Sequence, residues 1–253
     1  MPTSTLNANG FVHCKGIFSH NTVSSIRAHA NSCTAAERQN SAHVVWRPTG
    51  RDLLGFAEIF THKALVETAR AALSPHVKMS LLEVLSTRKE VETSTRACQP
   101  SMLGFDPTSG VGVHRDGAWI ERDLGVLLPP RLTLKAAVWL SEVGRSQGNL
   151  RLFPFSHALD RATIGTLDLA PSNYYDVLAD AGDVTFFDRR TLHTRTWNDS
   201  SNERVAVFIE YSVTWLRRKQ RLWVPDIADS GADRDLVREL LSEPADPWSC
   251  YWP

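Results

Sequence analysis

The chain has 253 residues, 42% of them hydrophobic and 22% charged, with 28 basic and 28 acidic side chains that cancel. That length suits one large domain or two small ones, and the composition is that of a globule able to bury a sizeable core. A neutral chain has no global field favouring nucleic acid or an anionic membrane surface, and no run approaches the roughly 18 apolar residues of a membrane helix.

The N-terminal ten residues are polar and lack the apolar block of a secretory signal. Cys14, Cys33, Cys98 and Cys250 lie far apart, without the paired spacing of a zinc or redox site. They read as reduced thiols of a cytoplasmic protein whose partner is a small-molecule substrate, with neither nucleic acid nor membrane.

In chain order, Gly10-Phe11-Val12 reads as a short strand, and Asn21 can cap a helix carrying Val23, Ile26 and Ala30 on one face. A second helix starts at Thr61, aligns Leu65, Val66, Ala69, Ala72 and Leu73, and stops before Pro75. From residue 77 the period becomes that of strands. Val77 to Leu85 is apolar and partly β-branched, and Gln99 to Gly112 is a long loop. Leu132, Leu134, Ala136, Val138 and Leu140 then alternate with Thr133, Lys135, Ala137, Trp139 and Ser141. Leu150–Phe153, Val184–Phe187 and Arg204–Val213 are further strands, separated by turns at Gly144, Gly148 and Gly182-Asp183, and Arg234 to Leu241 is a last helix. Many short strands between punctuated loops predict a mainly β architecture with flanking helices, closed or two-sheeted. A single domain over 1–253 is expected: a helical and strand part to about 76, a β core to about 215, and a tail with a helix.

His114-Arg115-Asp116 is the one histidine with an acid two residues on. Residues i and i+2 of an extended segment point to the same side, so an imidazole and a carboxylate can grip one ion. Alone the pair is weak, and a hydrogen-bonded loop pair is the bland alternative. His193, between the strand after Gly182-Asp183 and the strand that opens at Arg204, is the best third ligand. Two histidines and one carboxylate leave open positions on Fe(II), which suits O2 activation. Arg204, 11 residues beyond His193, offers a planar fork for a carboxylate, which fits 2-oxoglutarate as cosubstrate.

The series His114-x-Asp116, Gly148-x-Leu150-x-x-x-Pro154-x-Ser156-His157, Gly182-Asp183 and His193-x4-Asn198-x-Ser200-x3-Arg204 resembles the phytanoyl-CoA dioxygenase family of Fe(II)/2-oxoglutarate oxygenases. Tyr211 and Trp215-Leu216-Arg217-Arg218 also look like the family's closing segment, so the likeness runs from about residue 5 to 245. It implies a double-stranded β-helix (jelly-roll) core, His114, Asp116 and His193 as metal ligands, and Arg204 holding the cosubstrate. It also implies oxidation of a C–H bond coupled to conversion of 2-oxoglutarate to succinate. Two positions depart from the pattern: Phe155 where the family usually has Gly, and Arg195 where a Ser often helps hold the cosubstrate. Halogenating relatives replace the carboxylate ligand with a small residue, so Asp116 points to oxygenation.

His-Arg-Asp also opens a protein-kinase catalytic loop, but that motif needs Asn where Glu121 stands. His193 can be a core histidine, Arg204 a structural ion-pair partner, and His157 a turn stabiliser. Arg195 is either solvated or a second anion contact, and residues 217–221 form either a solvated basic face or an anion site. Trp119 and Phe105 can line a pocket or pack in the core, and Trp223, Trp248 and Trp252 read as packing. Gly117 to Ile120 and Leu124 to Leu128 suggest a mostly apolar pocket wall. The expected activity is therefore oxidation of a small secondary metabolite rather than a coenzyme A thioester. The competing classes are a non-catalytic jelly-roll binder and a cupin-like metal enzyme that needs no 2-oxoglutarate.

Overall fold

A computed structural model describes residues 3–90, 112–116, 120, 124–167, 173–220, 222 and 233–242. The expected loop 99–112, apart from Gly112, falls outside these residues, as do Cys98, Cys250, Phe105, Trp119 and the C-terminal tryptophans. The described part opens with α1 (Thr3–Asn9), β1 (Phe11–Cys14) and α2 (His20–Cys33). It continues with α3 (Ala35–Asn40), β2 (His43–Trp46), α4 (Gly50–Leu54), α5 (Ala57–Phe60) and α6 (Lys63–Ala72). The β core holds β3 (Val77–Thr87), β4 (Thr133–Trp139), β5 (Leu150–Leu152), α7 (Arg161–Ile164) and β6 (Tyr175–Asp176). It closes with β7 (Val184–Asp188), β8 (His193–Arg195) and β9 (Arg204–Val213), before α8 (Arg234–Leu241).

The strands form a six-stranded antiparallel sheet in the order β1-β7-β4-β9-β3-β2 and a three-stranded one in the order β6-β5-β8. Together they are the expected jelly roll with flanking helices. Alternation on β4 and β9 sorts their side chains to two faces. Leu134, Ala136, Val138, Val205, Val207, Ile209 and Tyr211 join the large cluster beneath the helices, which also takes Leu6, Phe56, Phe60, Leu65 and, from α8, Val237 and Leu240. Thr133, Lys135, Ala137 and Trp139 with Arg204, Ala206, Phe208, Glu210 and Ser212 face the barrel interior, where Ala137, Trp139, Ala206 and Phe208 pack on Leu150 and Phe187.

The helix ends shift slightly from the sequence reading for a local reason. α2 starts two residues early because Ser19 rather than Asn21 caps it, its hydroxyl accepting from the Thr22 amide at 3.2 Å. α6 starts two residues late because the Thr61 hydroxyl donates back to Ala57 O, closing α5, and His62 takes the cap. Gly10 (φ +85°) turns α1 into β1 where an added Cβ would lie 2.5 Å from both His157 Nδ1 and Thr191 Oγ1. His157 Nε2 lies 3.0 Å from the Asn7 carbonyl, so this histidine pins α1 and takes the turn-stabilising role.

Candidate metal centre

His114 and His193 face each other across an antiparallel bridge in which each amide donates to the other's carbonyl, at 3.0 and 2.9 Å. Such a pair sends both side chains to one face, and the imidazole centroids are 4.4 Å apart. The Asp116 amide donates to Arg189 O at 3.0 Å, and Arg189 Nη1 returns a bond to Asp116 O at 3.1 Å. The backbone thus fixes all three ligand candidates.

Each histidine Nδ1 meets a carbonyl two residues upstream, Gly112 O at 2.7 Å and Thr191 O at 2.9 Å. Donation there fixes the tautomer and leaves the Nε2 lone pair free for a metal. One ligand atom from each of His114, Asp116 and His193 lies within 4.8 Å of the other two. Burial, with His114 adding to it, pushes the His193 pKa down to about 3, so the ring is neutral at physiological pH, as a ligand must be. Burial would raise the Asp116 pKa, but the Lys135 ammonium and His193 outweigh it and hold the carboxyl well below its usual range. The donor set fits a divalent transition ion with open positions.

Lys135 is the site residue that sequence reasoning passed over. Its Nζ lies 2.6 Å from Asp116 Oδ2, and burial is offset by Asp116 and Glu210, so its pKa is raised. The available signal was a lysine on the inward face of an otherwise apolar strand.

Arg204 opens β9 deeper in the barrel, 1% exposed, its guanidinium carbon 5.2 Å from the Trp139 ring centroid and 5.7 Å from that of Phe208. Its Nε and Nη1 are buried without a hydrogen-bond partner. Burial first, then the neighbouring Arg195 charge, lower its pKa to about 9. Gly148 (φ +69°) lets the chain pass so closely that an added Cβ would lie 3.2 Å from Arg204 Cδ, which explains the glycine of the Gly148-x-Leu150 motif. Arg195 is not solvated: it is buried and bonded to both Glu90 carboxylate oxygens, at 2.8 and 2.9 Å.

The apolar wall expected around the ligands needs correction. Ile120 is buried on Leu132 and Val213, and Gly117 to Trp119 lie outside the described residues. Leu124 and Leu127 are 58% and 77% exposed, so this stretch faces solvent. Two members of the basic run are engaged within the protein: Arg218 donates to Leu240, Leu241 and Ser242 carbonyls at the end of α8, and Lys219 pairs with Glu210 at 2.6 Å. Cys14 and Cys33 are free thiols, and no helix among the described residues is long and apolar enough to cross a membrane.

No curated protein matches the sequence. Among solved structures, the chain is similar to HygX from Streptomyces hygroscopicus with nickel and 2-oxoglutarate bound, at TM-score 0.62 and 17% identity over 91% of this chain and 93% of that one. It is similar to SnoN, a non-heme alpha-ketoglutarate-dependent epimerase from nogalamycin biosynthesis, at TM-score 0.57 and 21% identity over 83% and 80%. It also resembles the non-heme monooxygenase ThoJ in its nickel complex, at TM-score 0.59 and 14% identity over 93% and 92%. The profile of the phytanoyl-CoA dioxygenase (PhyH) family matches residues 6–206. That match covers most of the chain, which therefore belongs to the phytanoyl-CoA dioxygenase family, and with it to the Fe(II)/2-oxoglutarate-dependent oxygenases.

Proposed function

We propose that His114, Asp116 and His193 hold the catalytic Fe(II), that Arg204 holds the far carboxylate of 2-oxoglutarate, and that the enzyme oxidises a C–H bond of a small metabolite. One observation carries the reading. A fully buried guanidinium with two unpaired nitrogens lies in the same barrel as two imidazoles and a carboxylate whose ligand atoms are within 4.8 Å of one another. A buried cation without an anion is costly, and a dicarboxylate supplies that anion. Iron with 2-oxoglutarate and O2 would supply the oxidant for the C–H bond, with succinate and CO2 as coproducts. Arg204 orients the cosubstrate, its aromatic flanks exclude water from the ion pair, and the Nδ1 contacts keep both imidazoles in the ligating tautomer.

A free metabolite is favoured over a coenzyme A thioester because Arg218 and Lys219, two members of the basic run, are engaged within the protein rather than free for phosphates. The similar structures support the same reading: HygX is described with hygromycin B bound and SnoN with a nogalamycin compound. We further read the chain as one domain, since a single core cluster runs from Leu6 to Leu241.

The test is succinate release from 2-oxoglutarate by purified protein with Fe(II), ascorbate and O2. Release that depends on Fe(II) supports the reading. Iron binding without any cosubstrate turnover would favour the cupin-like class, and binding of neither would favour a plain ligand-binding jelly roll.

A further inference from the structure

The inner faces of β4 and β9 carry polar atoms that the triad and Arg204 leave unused. Thr133 stands opposite Ser212, and Lys135 opposite Glu210. Thr133 is 1% exposed, Ser212 0% and Glu210 1%, yet Thr133 Oγ1, Ser212 Oγ and Glu210 Oε1 have no hydrogen-bond partner. Side chains opposed on an antiparallel pair stand about 5 Å apart and the next pair lies about 7 Å along, so the patch has the footprint of one six-membered ring. It adjoins the metal ligands, because Lys135, within the patch, is 2.6 Å from Asp116. It lies on the far side from Arg204, which starts β9 while Glu210 and Ser212 approach its end.

Three buried orphan polar atoms on one face need a reason, since each raises the free energy of the empty protein. A ligand with matching groups removes that penalty when it binds. The charges exclude two classes. Lys135 is matched by Asp116 and Lys219 by Glu210, and Lys78, which stands opposite Ser212 from β3, has a partner of its own, so among the described residues an anionic group finds no spare cation, and a cationic amine finds a carboxylate already neutralised on one oxygen. An apolar chain would leave all three atoms unpaired and forgo that gain, about five- to 150-fold in affinity for each. A ring bearing adjacent hydroxyls fits: one donates to Glu210 Oε1, and neighbours exchange hydrogen bonds with Thr133 and Ser212.

We propose that Thr133, Glu210 and Ser212 form a substrate-recognition subsite for a polyhydroxylated ring, a glycosyl or cyclitol group, presented beside the metal. This deepens the oxygenase reading above and takes from it the position of the reacting centre.

Saturation-transfer NMR tests it on protein loaded with Zn(II), a diamagnetic stand-in for iron, and 2-oxoglutarate, and again on metal-free protein. The probes are methyl glucoside and myo-inositol, against cyclohexylamine, cyclohexanecarboxylate and cyclohexanol. The polyols should bind in preference, and Thr133→Val and Ser212→Ala should each weaken them about five- to tenfold. Thr133→Ser should keep their affinity. Both hydroxyl deletions should leave Tm unchanged or raise it, which no structural role for the hydroxyls would do. Absence of polyol binding, preference for the amine, the acid or cyclohexanol, or polyol affinity untouched by both deletions would overturn the proposal, and so would loss of affinity in Thr133→Ser. The 2-oxoglutarate signal in the same sample reads the parent reading separately. Polyols bound without 2-oxoglutarate would sink the cosubstrate role and leave the subsite, and the reverse would sink the subsite alone.

Discussion

Replacing Asp116 with Ala would remove the one carboxylate among the three ligand atoms and strip Lys135 of the counter-charge 2.6 Å from its ammonium. Two losses should follow: succinate formation disappears, and the metal-free protein loses stability, because a buried charge without its partner costs about 3–5 kcal/mol. The double variant Asp116→Ala with Lys135→Met separates them. Thermal unfolding should recover most of the stability while activity stays absent. Arg204→Ala acts on the other half of the site. Removing a charge-assisted pair of bonds, worth about 2–4 kcal/mol when desolvated, should weaken 2-oxoglutarate by roughly 30- to 1000-fold. Titration should find metal affinity nearly unchanged. An unaltered cosubstrate affinity would return Arg204 to a structural role.

Elements carry strain of their own. Phe155 sits at φ 65°, a left-handed conformation, where the resemblance leads one to expect Gly, and its ring is 60% exposed. The conformation costs an L-residue about 1–2 kcal/mol, while Gly gives back about 0.5–1 kcal/mol in unfolded-chain entropy. Phe155→Gly should therefore raise Tm by a degree or more, with metal binding unaffected; a lower Tm would mean that the ring packs usefully. How far such elements could be read beforehand depends on period. β9 and α8 match the sequence reading end to end, because a ten-residue strand and a two-turn helix repeat their pattern often enough to be seen. β8, only three residues long and buried throughout, shows no alternation, so His193 was found from its neighbours and from the family spacing. That His114 and Asp116 lie together was legible because an i, i+2 pair is local. The Glu90 partner of Arg195 was not, because 105 residues separate them and no period links the two. Lys135 and Glu210 escaped for the same reason: only the register of β4 on β9 sets them opposite each other.

For the whole molecule, the buried cationic end of the barrel contributes to the response to acid through His43. Burial first, then the Arg195 and Arg204 charges, lower the His43 pKa from 6.5 to about 3. The unfolded chain takes this proton below its ordinary pKa, whereas the folded protein takes it only near 3. Folded-state stability from this group is therefore complete above about pH 6.5 and is lost progressively as pH falls toward 3. His43→Gln, which can keep a bond to the Thr87 hydroxyl, should flatten the fall in Tm across that window; an identical slope would place the acid sensitivity elsewhere. The same cationic end has a further consequence outside the reaction. Arg195 and Arg204 sit close enough to disfavour each other, and Glu90 is spent on Arg195. A dicarboxylate bound at Arg204 would supply the missing negative charge to the native state alone, which at a hundredfold excess over its Kd shifts unfolding by roughly 2.7 kcal/mol. Protease digestion should thus slow when 2-oxoglutarate is added, even without metal or O2, and the effect should vanish in Arg204→Ala. In a cell, that coupling would tie the lifetime of the protein to the supply of its own cosubstrate.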